Sequence, residues 1–132
     1  MRRTALIALL VLALAGLTTS LALAGNPHFV FVDVAQSGNT LTVNGKEAGL
    51  GDEPQVHVVV TATAQCINPG NNHPQAANKE SVSAEGDFPV QNGKALFSLT
   101  LTATFQPECS PPMTVQFTDV TVTDTTSGIS YP

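Results

Sequence analysis

Apolar and polar residues alternate along two long segments of this chain, 55–66 and 95–106. A period of two places successive side chains on opposite faces, as in a β-strand that buries one face. One face of each segment is therefore predicted to enter a core. The predicted inward residues are Val56, Val58, Val60, Ala62, Ala64 and Cys66 in the first segment, and Ala95, Phe97, Leu99, Leu101, Ala103 and Phe105 in the second.

Other segments carry the strand signal in a less regular form. In 113–123 the apolar positions change parity near Thr118-Asp119, which predicts a β-bulge or a strand that changes sheets. Residues 28–35 are apolar on both faces, which predicts an N-terminal strand buried on both sides. Shorter strands are predicted at 39–43, 81–84 and 87–91, and Pro89 favours an edge position for the last of them.

Turn signals separate these segments. Asn-Gly and similar pairs accept the positive φ angles of tight turns. The predicted turns are Ser37-Gly38-Asn39, Asn44-Gly45, Glu85-Gly86-Asp87 and Asn92-Gly93. Many short strands with frequent turns predict an all-β fold, an immunoglobulin-like antiparallel β-sandwich of about seven strands. A small β-barrel is the alternative.

The N-terminus has the three-part layout of a secretory signal peptide. Met1-Arg2-Arg3 is basic, residues 5–17 form an apolar run, and Ala22-Leu23-Ala24 is a small-residue cleavage motif. The apolar run is shorter than the roughly 20 residues that span a bilayer. The sequence therefore predicts a signal peptide at 1–24 and a single domain at 25–132. The mature protein would be secreted, periplasmic or associated with the cell envelope, with no membrane span.

The charge of the chain becomes more negative once the signal is removed. The chain has five Lys and Arg residues and ten acidic residues. Arg2 and Arg3 would leave with the signal, so three lysines would face ten acids, a net charge of −7. Nucleic acids and anionic membranes bind clustered positive charge, so neither is a predicted partner.

Cys66 and Cys109 are the only cysteines of the chain. In an exported protein, an even pair predicts one disulfide. Two buried free thiols and half of a metal site are the alternatives, although a metal site would need further ligands at short spacing. Each cysteine is predicted at a strand–loop junction, so the bridge would pin two loops at one end of the domain. No cofactor or metal is predicted.

One stretch of the chain supports a loose resemblance. Residues 60–66, Val-Thr-Ala-Thr-Ala-Gln-Cys, are followed by Asn68-Pro69-Gly70. This stretch resembles small exported bacterial β-sandwich proteins of unknown function. The resemblance implies an exported β-fold and no particular activity, ligand or site residue.

No constellation in the sequence points to catalysis. The mature chain contains His28, His57 and His73, but no serine in the G-x-S-x-G context that presents a nucleophile. The protein is therefore predicted not to be an enzyme. Three acidic pairs lack the spacing of a calcium-binding loop and are predicted to be solvated surface groups. They are Asp52 with Glu53, Glu85 with Asp87, and Asp119 with Asp124.

Two long connectors, 67–80 and 106–112, are the candidate functional regions. Long loops in compact domains are often functional, and the Asn, Gln and His residues of the first offer hydrogen bonds to a sugar or a peptide. A plain connector turned by Pro69-Gly70 is the alternative interpretation. The predicted ligand-binding residues are Asn71, Asn72, His73 and Gln75.

These features favour an exported, non-catalytic binding or adhesion module for an unknown protein or glycan ligand. The alternative is a structural protein of the cell surface or matrix that self-associates by β-strand addition. Segment 28–35, apolar on both faces, would supply the added strand, because exposed apolar strand edges pair readily with other chains.

Overall fold

The computed structural model describes residues 25–70 and 78–132. Seven strands are present in these ranges: β1 (His28–Ser37), β2 (Thr40–Ala48), β3 (Gln55–Ile67), β4 (Lys79–Pro89), β5 (Ala95–Thr102), β6 (Thr114–Asp124) and β7 (Ile129–Tyr131). They form a three-stranded sheet of order β1-β2-β5 and a four-stranded sheet of order β4-β3-β6-β7, with antiparallel pairing throughout. The described ranges contain no helix long and apolar enough to cross a membrane.

The two sheets stack as a β-sandwich, which confirms the predicted all-β fold. The sheet to which the fourth strand belongs differs from that of an immunoglobulin constant domain, in which the fourth strand pairs with the fifth. In this protein β4 pairs with β3, from Gln55 opposite Pro89 to Gln65 opposite Lys79. β4 therefore covers β5 from the opposite sheet, and the ring centroid of Phe88 lies 6.1 Å from that of Phe97.

The main core lies between β2, β3 and β5. All six residues predicted to face inward on β3 are buried, and five of the six predicted for 95–106 are buried as well, with Leu99 half-buried. The alternating pattern identified the correct face of both strands. Burying one large aliphatic side chain contributes about 1.5–3 kcal/mol, so these two strands supply much of the hydrophobic stabilisation of the domain.

A β-bulge in β6 explains the change of parity along that strand. Thr61 of β3 pairs with Thr121, but Thr63 pairs with Thr118, so β6 carries one extra residue in this interval. Asp119 lies there with a φ of 55°. The bulge keeps Phe117 and Val122 on the inward face. Of the two predicted explanations, the bulge is confirmed.

Two of the predicted turns are wrong. Asn44-Gly45 lies inside β2 and Glu85-Gly86-Asp87 inside β4, whereas Asn92-Gly93 forms the predicted turn with φ angles of 54° and 73°. Gly45 is required by packing: a Cβ there would lie 2.1 Å from a ring carbon of Phe97. The glycine therefore permits close approach of the two strands and does not reverse the chain.

Two edge strands of the sandwich confirm one prediction and contradict another. β4 is an edge strand, as Pro89 predicts. Most residues of β1, also an edge strand, are exposed, so the prediction that 28–35 is buried on both sides is wrong. A bulge between Phe29 and Phe31 shifts the register with β2, so Phe29 and Val32 both pack against the main core although their parities differ.

The disulfide predicted between Cys66 and Cys109 is present, with an S–S distance of 2.03 Å and a Cα–Cα distance of 5.8 Å. It joins the end of β3 to the connector between β5 and β6. A second, smaller cluster of buried residues surrounds it, and Val82 and Phe117 pack against both this cluster and the main core. The buried residues are Ala64, Cys66, Ala103 and Phe105, and Cys109, Met113 and Val115 also pack against them.

Candidate binding groove at the disulfide end

An open groove of about 1010 Å³ lies at the end of the sandwich that holds the disulfide. The turn between β1 and β2 forms one wall, and the connector between β5 and β6 forms the other. Ends of sandwiches carry loops that can vary without disturbing the sheets, so ligand sites are often located there. The described lining includes Gln36, Asn39, Thr104, Phe105, Gln106, Glu108, Cys109, Pro111, Met113 and Thr114.

The lining combines polar groups with an apolar surface. Amide, hydroxyl and carboxylate side chains are present, and Phe105, Pro111 and Met113 supply the apolar part. Phe105 is buried, and Met113 is half-buried beside the disulfide. This mixture is typical of sites where apolar contact provides affinity and a few polar groups fix orientation.

Hydrogen bonds fix both walls of the groove. Gln36 Nε2 donates to the carbonyl oxygen of Val115 at 2.7 Å, which joins β1 to β6 across the two sheets. Asn39 Nδ2 donates to the carbonyl oxygen of Ala103 at 3.1 Å. The Thr104 N–H donates to Glu80 Oε1 at 2.6 Å. A ligand would therefore meet a groove that is already ordered, which lowers the entropic cost of binding.

The structure tests the sequence-predicted site only in part. The predicted ligand-binding residues Asn71, Asn72, His73 and Gln75 lie outside the described residues. The second predicted region contributes Gln106, Glu108 and Pro111 to the groove. Sequence reasoning misses Gln36 and Asn39, because Ser37-Gly38-Asn39 carries only the signature of a turn. The one sequence signal that could have indicated this wall is Gln36, a polar residue at the end of an otherwise apolar strand.

A second polar cluster lies on the outer face of β3 and β4. His57 pairs in register with Asp87, and its neighbour two residues along, Val59, pairs with Glu85. This register places the imidazole between two carboxylates. Nδ1 lies 2.8 Å from Asp87 Oδ1, and Nε2 lies 3.0 Å from Glu85 Oε2. His57 lies on the face of β3 opposite the predicted inward residues, but its two acidic partners were not predicted.

These contacts raise the pKa of His57 above its ordinary 6.5, through hydrogen bonds to Glu85 first and Asp87 second. The contacts therefore stabilise the fold most below pH 6.5, and this stabilisation is lost as the pH rises through the folded-state pKa. We expect Glu85→Gln with Asp87→Asn to lower the midpoint of the His57 ring resonances in an NMR pH titration. An unchanged midpoint would contradict this, and the exposed Glu53→Gln provides the matched control.

A pair of carboxyl groups is buried at the opposite end of β2 and β6. Glu47 and Asp124 are both completely buried, and they come from different sheets. Asp124 Oδ1 accepts the N–H groups of Thr126 at 2.9 Å and Ser127 at 3.0 Å, so it shapes the turn into β7. Both oxygens of Glu47 and Oδ2 of Asp124 have no hydrogen-bond partner in the described residues.

The pKa of Glu47 is raised to about 8, first by burial and then by the proximity of the Asp124 carboxyl group. With this pKa, Glu47 is mostly protonated at neutral pH. Its neutral form avoids a second uncompensated charge in an apolar interior, which would be costly.

The prediction that the three acidic pairs are solvated surface groups is wrong for Asp124, which is buried in the turn before β7. Glu85 and Asp87 are exposed but contact His57. Asp52 and Glu53 line a shallow depression at the end opposite the disulfide, together with Lys94. Within residues 25–70 and 78–132, no group of three or more His, Cys, Asp or Glu residues is arranged to hold a metal ion.

Comparison with known proteins gives no further guide to the site. No family model, curated protein or solved structure matches this chain.

Proposed function

We propose that the protein is an exported, non-catalytic binding module that holds a protein or glycan ligand in the groove at the disulfide end. One observation carries the proposal: the groove has walls from both sheets, and these walls are fixed by the Gln36–Val115 hydrogen bond and the Cys66–Cys109 bridge. A preformed concave surface of mixed polarity is the usual form of a ligand site.

The charge of the groove narrows the class of ligand. Glu108 is the charged residue among its described lining, and the mature chain is predicted to carry a net negative charge. Anionic ligands would be repelled, and neutral or basic ones would not. A neutral glycan, or an uncharged or basic peptide segment with apolar side chains, matches the amide, hydroxyl and apolar groups of the lining.

The proposal is tested by presenting the oxidised mature protein to an array of neutral glycans and to a phage library of random peptides. We expect binders whose affinity falls at least tenfold in Gln106→Ala with Glu108→Ala, which removes two exposed groups of the groove. Isothermal titration with the selected glycan or peptide measures the change. The melting temperature should stay within about 2 °C, because exposed substitutions cost little stability.

The matched control is Gln91→Ala with Glu53→Ala, which removes the same two residue types from exposed positions near the opposite end. Equal binding by both double variants would show that the groove is not the contact surface. A third variant, Asn72→Ala with His73→Ala, tests connector 67–80. Loss of binding at an unchanged melting temperature would make that connector part of the site.

We also propose a second candidate function, structural assembly by β-strand addition through 28–35. It is favoured by the position of β1, which is one of the two edge strands of the three-stranded sheet and exposes three large apolar residues. Deleting 28–35 should then give a stable monomer in light scattering. If the deletion unfolds the domain, 28–35 is required by its own sheet and is not available to be donated to a neighbour.

A further inference from the structure

Two of the edge strands of the sandwich, β4 and β1, differ in how they are protected against pairing with other chains. β4 carries Lys79, Glu80, Glu85 and Asp87 and ends at Pro89. Charges and proline on an edge strand prevent association, because pairing would bury the charges or lose a hydrogen bond. This edge is therefore unsuited to strand pairing.

β1 lacks most of this protection. Its residues Val30, Phe31 and Val34 are 51%, 42% and 48% exposed, although each is large and apolar. Asp33 is the single acidic residue of the strand, and β2 is its sheet neighbour. An apolar, β-branched edge of this kind is a template for another strand.

We propose that β1 pairs antiparallel with β1 of a second copy, which closes a two-fold dimer with one continuous six-stranded sheet. A strand edge presented to its own copy through a two-fold axis is self-complementary, so the contact ends at two chains. This inference rests on the second proposed function, assembly through β1, and replaces open-ended addition with a closed pair.

The register of the pair follows from the side chains. Centring on Asp33 would place two carboxylates opposite each other, and like charges directly opposite are destabilising. Centring on Phe31 would place the bulge between Phe29 and Phe31 directly beside the two-fold axis. Centring on Val32 keeps the two carboxylates apart and moves the bulge one residue further from the axis, so that Val30, within the bulge, lies opposite Val34 of the second copy. Two exposed valines on each chain would then be covered.

Charge complementarity supports the same register. On the outer face of the three-stranded sheet, Phe31 lies opposite Lys46, and Asp33 lies opposite Asn44. With Val32 on the axis, Asp33 of one chain lies opposite Phe31 of the other chain, and that Phe31 lies opposite Lys46 of its own β2. Asp33 of one chain and Lys46 of the other are then two strands apart, roughly 10 Å between Cα atoms. The flexible four-carbon stem of lysine spans much of that distance.

The test is sedimentation equilibrium of the oxidised mature chain over a concentration series. We expect a monomer–dimer equilibrium in which Asp33→Lys and Lys46→Asp each weaken association about tenfold or more, since each introduces two like-charge contacts per dimer. The double variant, Asp33→Lys with Lys46→Asp, should restore association to within about threefold, because the opposite charges face each other again. The matched control is Asp52→Lys, the same charge change at an exposed site away from β1.

Circular dichroism and melting temperature confirm that each variant is folded. Association that survives both single variants, or a double variant that is not restored, would overturn this register. Large open-ended species that disappear in the β1 variants would overturn the closed dimer but support the second proposed function. A monomer at every concentration would overturn both. The groove-binding proposal is measured separately and does not depend on any of these results.

Discussion

The domain formed by residues 25–132 is expected to lose about 4 kcal/mol of unfolding free energy between pH 4.5 and pH 8 because of Glu47 alone. Its carboxyl has a pKa near 4.5 when the chain is unfolded and about 8 in the fold. Between these values the unfolded chain releases a proton that the folded chain retains. Stability therefore falls by about 1.4 kcal/mol per pH unit across this window. Below pH 4.5 both states are protonated, so the loss stops.

Urea unfolding at half-unit steps from pH 4.5 to 8 measures this slope. Glu47→Gln removes the titrating group while keeping the shape, so its stability should vary much less with pH. The residual slope would include His57, whose raised pKa acts in the same direction. Glu53→Gln is the exposed control and should retain the wild-type slope. A wild-type stability equal at pH 5 and pH 8 would show that Glu47 is ionised in the fold.

Replacing Cys66 and Cys109 together by alanine is expected to lower the unfolding free energy by about 4 kcal/mol. The bridge spans 43 residues of sequence. When disulfide stabilisation is attributed to chain entropy, closing a loop of this length destabilises the unfolded chain by roughly 4 kcal/mol. The loss is a large share of the 5–15 kcal/mol of a typical domain.

Guanidinium unfolding of the alanine double variant, beside the wild type with and without reductant, measures this loss. Reduced wild type and double variant should unfold at similar denaturant concentrations, because both lack the crosslink. A loss below about 1 kcal/mol would mean that the unfolded chain is already compact across this interval. Amide resonances of Thr104, Gln106 and Thr114 report whether the groove keeps its shape without the bridge.

The sequence predicted the elements whose signal is local. Alternation identified the inward faces of β3 and β5, and the change of parity near Asp119 identified the bulge in β6. The errors occur where a local signal has a tertiary cause. Asn44-Gly45 matches the favoured turn pair, but Gly45 is present because Phe97 packs against its Cα. A pattern of neighbours cannot distinguish these two uses of glycine.

Most of the candidate site could not be predicted from the sequence, because it depends on how the two sheets stack. Gln36 and Val115 are 79 residues apart in the chain and meet only when the two sheets stack. The same limit applies to the buried pair, since Glu47 and Asp124 lie on strands of different sheets. The connector 106–112, by contrast, was identified because its composition marks it as a loop beside a cysteine.

The division of the interior into two clusters has a consequence for how this protein can change over generations. The groove rests on the small cluster around the disulfide, whereas the stability of the sheets depends mainly on the other cluster. Substitutions in 106–112, other than at Cys109, would therefore alter the proposed recognition surface with little penalty to the main core. A scaffold organised in this way is evolvable at one end, and it would also accept libraries of randomised loop residues for the selection of new binders.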